Sequence, residues 1–320
     1  MKNENPFRYS DDNKRYHTLN YYNKTGFAGK VFKAVIDAGF SCPNKDGTKG
    51  TGGCIYCMSG SGYFTKKSDG EIYDSVKRQL TAEKERIFKK HPDSLITAYF
   101  QANTNTYAPV ATLKEAYTAA LDFGVHGISI GTRADCLPDD VIALLSQINN
   151  RTHLTVELGL QTVHDKTAQI INRCYTYDEF LTGYRKLKNA GIRTCLHLID
   201  GLPGETKADM LETAKEVARL HPDAVKIHLL HVNRNTALEQ IYLAGNYSPL
   251  TRDEYIDIVI SQLEYLPADI VIERITGDAD KRCLVAPLWS ADKIAVLGGI
   301  DKQMKLRNTC QGIKCDSGQL

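Results

Sequence analysis

At 320 residues, with 42% hydrophobic and 24% charged residues, the chain has ordinary globular composition and length enough for one large core or two modest ones. A formal net charge of +2 excludes a protein that binds nucleic acid through bulk charge alone. No run of about eighteen apolar residues marks a membrane span, the opening MKNENPFRYSDDNKRYHTLN carries no secretory pattern, and nine cysteines, an odd count, argue against a disulfide framework, so a cytoplasmic protein with reduced thiols is expected.

In chain order, Met1 to Gly50 first shows a local basic excess, nine Lys or Arg against five Asp or Glu, which is either a solvated charged face or an approach surface for a polyanion. Strand-like apolar runs follow at KVFKAVIDAGF (30–40), SLITAYFQ (94–101), GISIGTR (127–133), LTVELGLQ (154–161), IRTCLHLID (192–200) and AVKIHLLHV (224–232). Between them lie helical patterns near 70–91, 110–122, 138–149, 176–190 and 206–220, opened by residues such as Pro138 and Thr206 and closed by Gly124 or Gly191. After residue 235 the alternation gives way to helices near 236–245 and 251–266, an apolar run DIVIERI (269–275) and a terminal helix, read as a C-terminal extension (236–320) packed on the first part (1–235).

A six-fold βα alternation suits either a doubly wound open sheet or a complete or partial β/α barrel. Polar groups cluster at the C-terminal ends of several strands: Cys42, Gln101 to Thr104, Arg133, Glu157 to Gln161, His197 to Asp200 and His228 to His231. Barrels collect their working residues there, so a partial TIM-like barrel with an α+β extension is the expected fold.

The densest chemistry is SCPNKDGTKGTGGCIYC (41–57), where eleven residues separate Cys42 from Cys54 and two separate Cys54 from Cys57. A closed zinc site or a closed iron–sulfur carrier takes four ligands, whereas three cysteines leave one position open; a zinc site completed by His17 or another histidine is the alternative. Gly47, Gly50, Gly52 and Gly53 allow the backbone to curl around a bulky core.

This loop resembles that of the radical S-adenosylmethionine (SAM) enzymes, and the eleven-residue spacing, in place of the usual three, resembles the Elongator-catalytic-subunit-like branch with its CPN…GGCIYC signature. GTRADC (131–136), VELGLQTVHDKT (156–167), AGIRTCLHLIDGLPGET (190–206), KIHLLHVNRNTALEQIY (226–242) and ERITGDADKRCLVAPLWSADK (273–293) extend the resemblance over most of the chain and narrow it to a YtqA/YhcC-like subgroup. The resemblance implies a 4Fe–4S cluster on Cys42, Cys54 and Cys57 whose open iron holds SAM, with Tyr56 against the adenine. Gln101, Asn103, Thr104, Glu157, Gln161 and His197 become cofactor contacts, although the glycines usual near the first three are missing.

It further implies reductive cleavage of SAM to methionine and a 5′-deoxyadenosyl radical, with flavodoxin or ferredoxin as reductant. The implied substrate is the tRNA wobble uridine, a carboxymethylaminomethyl group being converted to aminomethyl. Arg133, Lys226 and Arg274 are the candidates for gripping the substrate carboxylate, and His228, with His197 and His231, for moving protons. Lys14, Arg15, Lys24 and Lys30 are expected to meet tRNA phosphates, and the six cysteines outside the loop, Cys310 and Cys315 among them, are not expected as ligands. A small-molecule or protein substrate, and a zinc-stabilised RNA-binding protein without chemistry, remain as alternatives.

Overall fold

Each apolar run read from the sequence becomes a strand, and each periodic stretch between them a helix, because buried parallel strands need continuous Val, Ile and Leu while their crossovers need one apolar face. The computed structural model of the chain describes residues 5, 7–27, 29–58, 70–277 and 281–315. In order the elements are α1 (Leu19–Gly26), β1 (Val31–Ile36), α2 (Ile72–Phe88), β2 (Leu95–Phe100), α3 (Val110–Phe123), β3 (Gly127–Thr132), α4 (Asp139–Asn149), β4 (His153–Gln161), α5 (Asp165–Ile170), α6 (Tyr177–Asn189) and β5 (Arg193–Asp200). There follow α7 (Lys207–Leu220), β6 (Ala224–Leu229), β7 (Val232–Asn233), α8 (Ala237–Leu243), α9 (Arg252–Tyr265), β8 (Val271–Arg274), β9 (Leu284–Ala286) and α10 (Lys293–Leu306).

The main sheet runs β1-β2-β3-β4-β5-β6-β8, and β7 pairs with β9 separately and antiparallel. The registered pairs β1/β2, β2/β3, β3/β4 and β6/β8 are all parallel. A doubly wound sheet reverses its strand order at a switch point. This order never reverses, which decides for the partial β/α barrel. The seventh strand, β8, comes from the DIVIERI run that the sequence places in the extension; four residues are too few to show a period.

Two compact units divide the chain, one of Asn23–Leu160 and Asn172–Cys195, the other of Met1–Tyr22, Gln161–Ile171 and Leu196–Leu320. In the first, Ala34, Ile36, Ala98, Phe100, Ile128, Ile130, Leu154 and Val156 form a core covered by Val76 and Leu80 of α2, Leu113, Ala116 and Tyr117 of α3, and Val141, Leu144 and Leu145 of α4. In the second, α9 packs between α7 and α10 and buries Tyr255, Ile258, Val259 and Leu263. Thr176, Thr206 and Thr251 each start a helix with a complete capping box, closed by Glu179, Asp209 and Glu254. Gly124 ends α3 in the left-handed region at φ 80°, as its place in the sequence suggests. Helix α1 buries no side chain, so it left no apolar period to read. No helix among the described residues is long and apolar enough to cross a membrane.

Candidate functional site

Strand β1 hands over to the cysteine loop at Asp37, whose backbone N–H donates to Gln79 Oε1 and whose carbonyl accepts from Gln79 Nε2, both at 2.9 Å. The loop then coils on itself. Cys42 O accepts from Lys45 N at 2.8 Å, Pro43 O from Lys49 N at 2.8 Å, Asn44 O from Gly53 N at 2.8 Å and Cys54 O from Cys57 N at 2.8 Å. A bridge between Asp46 and Thr51 closes the excursion, so the long spacing between the first two cysteines is taken up by a small self-bonded turn. Gly52 and Gly53 sit at φ 78° and 77°, where a side chain would be strained.

A second segment braces this turn. Asn172, at φ 54°, donates its amide to Thr51 O at 3.2 Å and Gly53 O at 2.8 Å, and Asn44 donates back to Asn172 O. Arg133, at the end of β3, makes a two-pronged pair with Asp135 at 2.9 and 2.8 Å, donates to Arg173 O at 2.9 Å and lies 4.7 Å over the ring of Tyr175. Burial opposes the Arg133 charge, but Asp135 outweighs it and the guanidinium pKa rises. Lys49 Nζ completes the group, 2.8 Å from Asp135 and 3.1 Å from Glu179. The sequence reading put Arg133 in contact with substrate; the structure places its Nε, Nη1 and Nη2 on Asp135 and the 173–174 carbonyls instead.

The thiols share one electrostatic neighbourhood. Burial first, and then Cys57, push Cys54 up to about 11, Arg133 lowers it, and Cys42 adds a smaller rise. Half-buried Tyr56 is held protonated by burial and by Cys54 and Cys57. From β2, Thr104 N bonds Ser41 O at 3.1 Å, while Asn103 donates to Phe40 O at 3.0 Å and accepts from Lys45 at 2.8 Å. Gln101 is half-buried and bonds Ile36 O through its N–H at 3.1 Å.

This donor set fits a cluster. Thiols around a single zinc lie about 3.8 Å apart, given Zn–S bonds of about 2.3 Å. The group of described residues whose ligand atoms all fall within 4.8 Å of one another is His164, Asp209 and Glu212, not the three thiols. Thr104 Oγ1 and Asn44 Oδ1 are buried beside the loop without partners in the described structure, a cost that a polar occupant relieves. None of the nine cysteines forms a disulfide. Cys315 donates to Tyr265 O at 2.9 Å, far in sequence from the loop.

Glu157 belongs to a polar layer across four strands. It accepts from Lys33 of β1 at 2.6 Å, Tyr99 of β2 at 2.9 Å and Ser129 of β3 at 2.8 Å, and is 1% exposed. Lys33, Tyr99 and Ser129 escaped the sequence reading, although a lysine inside VFKAVI was a visible signal. Gln161 closes β4 at φ 61° with its side-chain oxygen buried and unpartnered in the described structure.

In the second unit, His197 of β5 and His228 of β6 have ring centroids 5.2 Å apart. Gly277 leaves room for His231, since a Cβ there would lie 3.3 Å from its ring. Lys226 is 4% exposed, stands beside Arg274 in the β6/β8 register and has its Nζ 3.8 Å from Glu273. Asp200, one of the polar groups read at the strand ends, is buried and accepts from Gln262 at 2.7 Å; burial pushes its carboxyl up to about 7, against the Gln262 bond, and Glu205 adds to the rise. Lys14 pairs with Asp301 within α10, and Arg15 donates to Asn308 Oδ1 and Thr309 O at 3.3 Å in the turn that follows it, so both basic residues are engaged by the C-terminal helix and its exit.

The Radical SAM superfamily signature matches residues 46–217, and that of the Radical SAM C-terminal domain matches 222–306. The chain belongs to the radical SAM superfamily. This radical SAM chain is 46% identical to YtqA of Bacillus subtilis (strain 168) over 98% of its own length and 96% of that protein, and 32% identical to YhcC of Escherichia coli (strain K12) over 87% and 88%. It is 29% identical to the tRNA uridine(34) acetyltransferase of Methanocaldococcus jannaschii over 133 residues, 41% of this chain and 25% of that protein. Archaeal Elp3 from Methanocaldococcus infernus superposes with a TM-score of 0.64 at 17% identity, over 88% of this chain and 64% of that one, a likeness of fold. Together these put the radical SAM chain on the Elongator-like branch as an enzyme, and the family brings its two cofactors, SAM and a 4Fe–4S cluster.

Proposed function

We propose that the chain modifies the wobble uridine of tRNA, converting a carboxymethylaminomethyl side chain to aminomethyl, with Cys42, Cys54 and Cys57 as the cluster ligands. The observation that carries the substrate is the 133-residue match to an enzyme that acts on uridine 34 of tRNA. When bound, the cluster and SAM supply reductively generated radical chemistry at a substrate C–H bond. The chain's own residues do the rest. The self-bonded loop fixes three thiols at the end of β1, and Asn103 and Thr104 hold its base. Tyr56, protonated, offers an aromatic face beside the thiols. Lys226 and Arg274, side by side on β6 and β8, supply cations for the carboxylate of the two-carbon unit, which would leave as glyoxylate by hydrolysis once the carbon beside nitrogen is oxidised to the imine by the radical chemistry that the cofactors supply. His228, with the His197 ring tilted beside it, holds the proton that the product amine needs. Arg133 acts through Asp135 and Lys49, positioning the loop. A flavodoxin or ferredoxin reductant and a cytoplasmic setting complete the reading.

The test is a comparison of tRNA nucleosides, by liquid chromatography and mass spectrometry, from cells with and without the gene. Accumulation of the carboxymethylaminomethyl nucleoside at the expense of aminomethyl-derived ones is the expected result. Unchanged nucleosides would turn the reading to a small-molecule or protein substrate, which the commitment of Lys14 and Arg15 to α10 and its exit also favours over a polyanion.

A further inference from the structure

Asn44 is 0% exposed, lies two residues after Cys42 and makes two hydrogen bonds through its amide nitrogen. One goes to Asn172 O and the other to Cys54 Sγ, at 3.7 Å. The assignment of nitrogen and oxygen is fixed, because turning the amide over would set its oxygen against the Asn172 carbonyl. Its backbone oxygen is held by Gly53 N at 2.8 Å, so the residue cannot drift from the sulfur. Gly50 makes the seat possible: a Cβ there would lie 2.3 Å from Asn44 Oδ1 and 2.7 Å from Cys174 Sγ. The packing therefore presses a neutral amide donor onto one sulfur of the three, and leaves its oxygen buried without a partner in the described structure.

We propose that Asn44 is a positioning residue that sets the reduction potential of the cluster through its N–H···S bond to Cys54. The proposal rests on Cys54 being a cluster ligand. A donor on a ligand sulfur stabilises the more electron-rich, reduced state, so it raises the potential, and its loss lowers it. Asn172 gives the contrast. It braces the same loop through Thr51 O and Gly53 O, and its side chain donates to no ligand sulfur.

The experiment is a redox titration followed by electron paramagnetic resonance on the full chain, reconstituted anaerobically with iron and sulfide and without SAM. Asn44→Ala and Asn44→Asp should both take up iron, with midpoints displaced to lower potential by at least a tenfold change in the oxidised-to-reduced ratio, about 59 mV for one electron, and further for Asp. Asn172→Gly, which its left-handed φ tolerates, should take up less iron with its midpoint unchanged. An unchanged midpoint in Asn44→Ala, or the same displacement in Asn172→Gly, overturns the proposal. Loss of iron uptake in both Asn44 variants assigns the residue to folding the loop and overturns it equally. Full iron uptake by Cys54→Ala would instead show that the ligand assignment itself had failed, carrying this proposal with it.

Discussion

Arg133 sits where a barrel keeps its working residues, yet its partners are Asp135 two positions on and the carbonyls of residues 173 and 174 forty positions away. A strand-end position says that a charge is near the site, and the fold alone says whom it serves. The cysteines are different, since a thiol trio at close spacing in one loop has few uses, and the family resemblance names the ligand set. Replacing Cys42, Cys54 or Cys57 by Ala should reduce iron to background after reconstitution, while Cys310→Ala and Cys315→Ala should load fully, as counted by iron and sulfide analysis. Asp200 gives a prediction in pH. Its unfolded value is near 3.8 and its folded value about 7, so between them the native state keeps a proton that the unfolded chain has lost. Its contribution is present in full below the unfolded value and is lost as pH rises towards 7, by up to about 4 kcal/mol. Asp200→Asn should therefore melt with a flatter pH profile between 4 and 8 and be more stable than the parent at pH 8, measured by differential scanning calorimetry. Nothing in the sequence marks Asp200 as buried, because a polar residue at a strand end is usually the start of a loop.

At the scale of elements, the strands and the long helices were legible because burial on both faces forces continuous apolar runs and one-sided burial forces a helical period. What stayed hidden was short or non-periodic: α5, the β7/β9 pair, and the segment after α5 that braces the cysteine loop. That segment works through the left-handed Asn172 and Cys174, which no period announces. Helix α6 adds a test of close approach. A Cβ on Gly183 would lie 2.0 Å from Ala134 O and 2.7 Å from its carbonyl carbon, so helix and loop touch backbone to side-chain position. Helix propensity alone favours Ala there by about 1 kcal/mol. The clash outweighs it, and Gly183→Ala should lose about 1–3 kcal/mol in urea unfolding. Because Ala134 lies between Arg133 and Asp135, iron uptake should fall with it; a stabilised variant would show that the helix packs less closely than described.

At the scale of the whole molecule, the unreversed strand order and the match across both family regions make the chain a radical SAM enzyme, while its substrate rests on a shorter likeness. The basic N-terminal segment was expected to contact RNA. Lys14 instead forms a partly buried pair with Asp301, so Lys14→Ala should cost about 1 kcal/mol of stability and leave tRNA affinity at low salt unchanged in filter binding. Charge counting cannot distinguish a lysine that meets a phosphate from one that pairs with a helix residue 287 positions away.

The most direct measurement incubates the reconstituted enzyme with SAM, a low-potential reductant and tRNA purified from cells lacking the gene, then quantifies 5′-deoxyadenosine and the wobble nucleosides together. The expected result is aminomethyluridine formed at the expense of carboxymethylaminomethyluridine, with 5′-deoxyadenosine rising in step and neither product appearing with Cys54→Ala. Release of 5′-deoxyadenosine with the wobble nucleoside untouched would contradict the substrate, and no release under any condition, despite a loaded cluster, would contradict the chemistry itself.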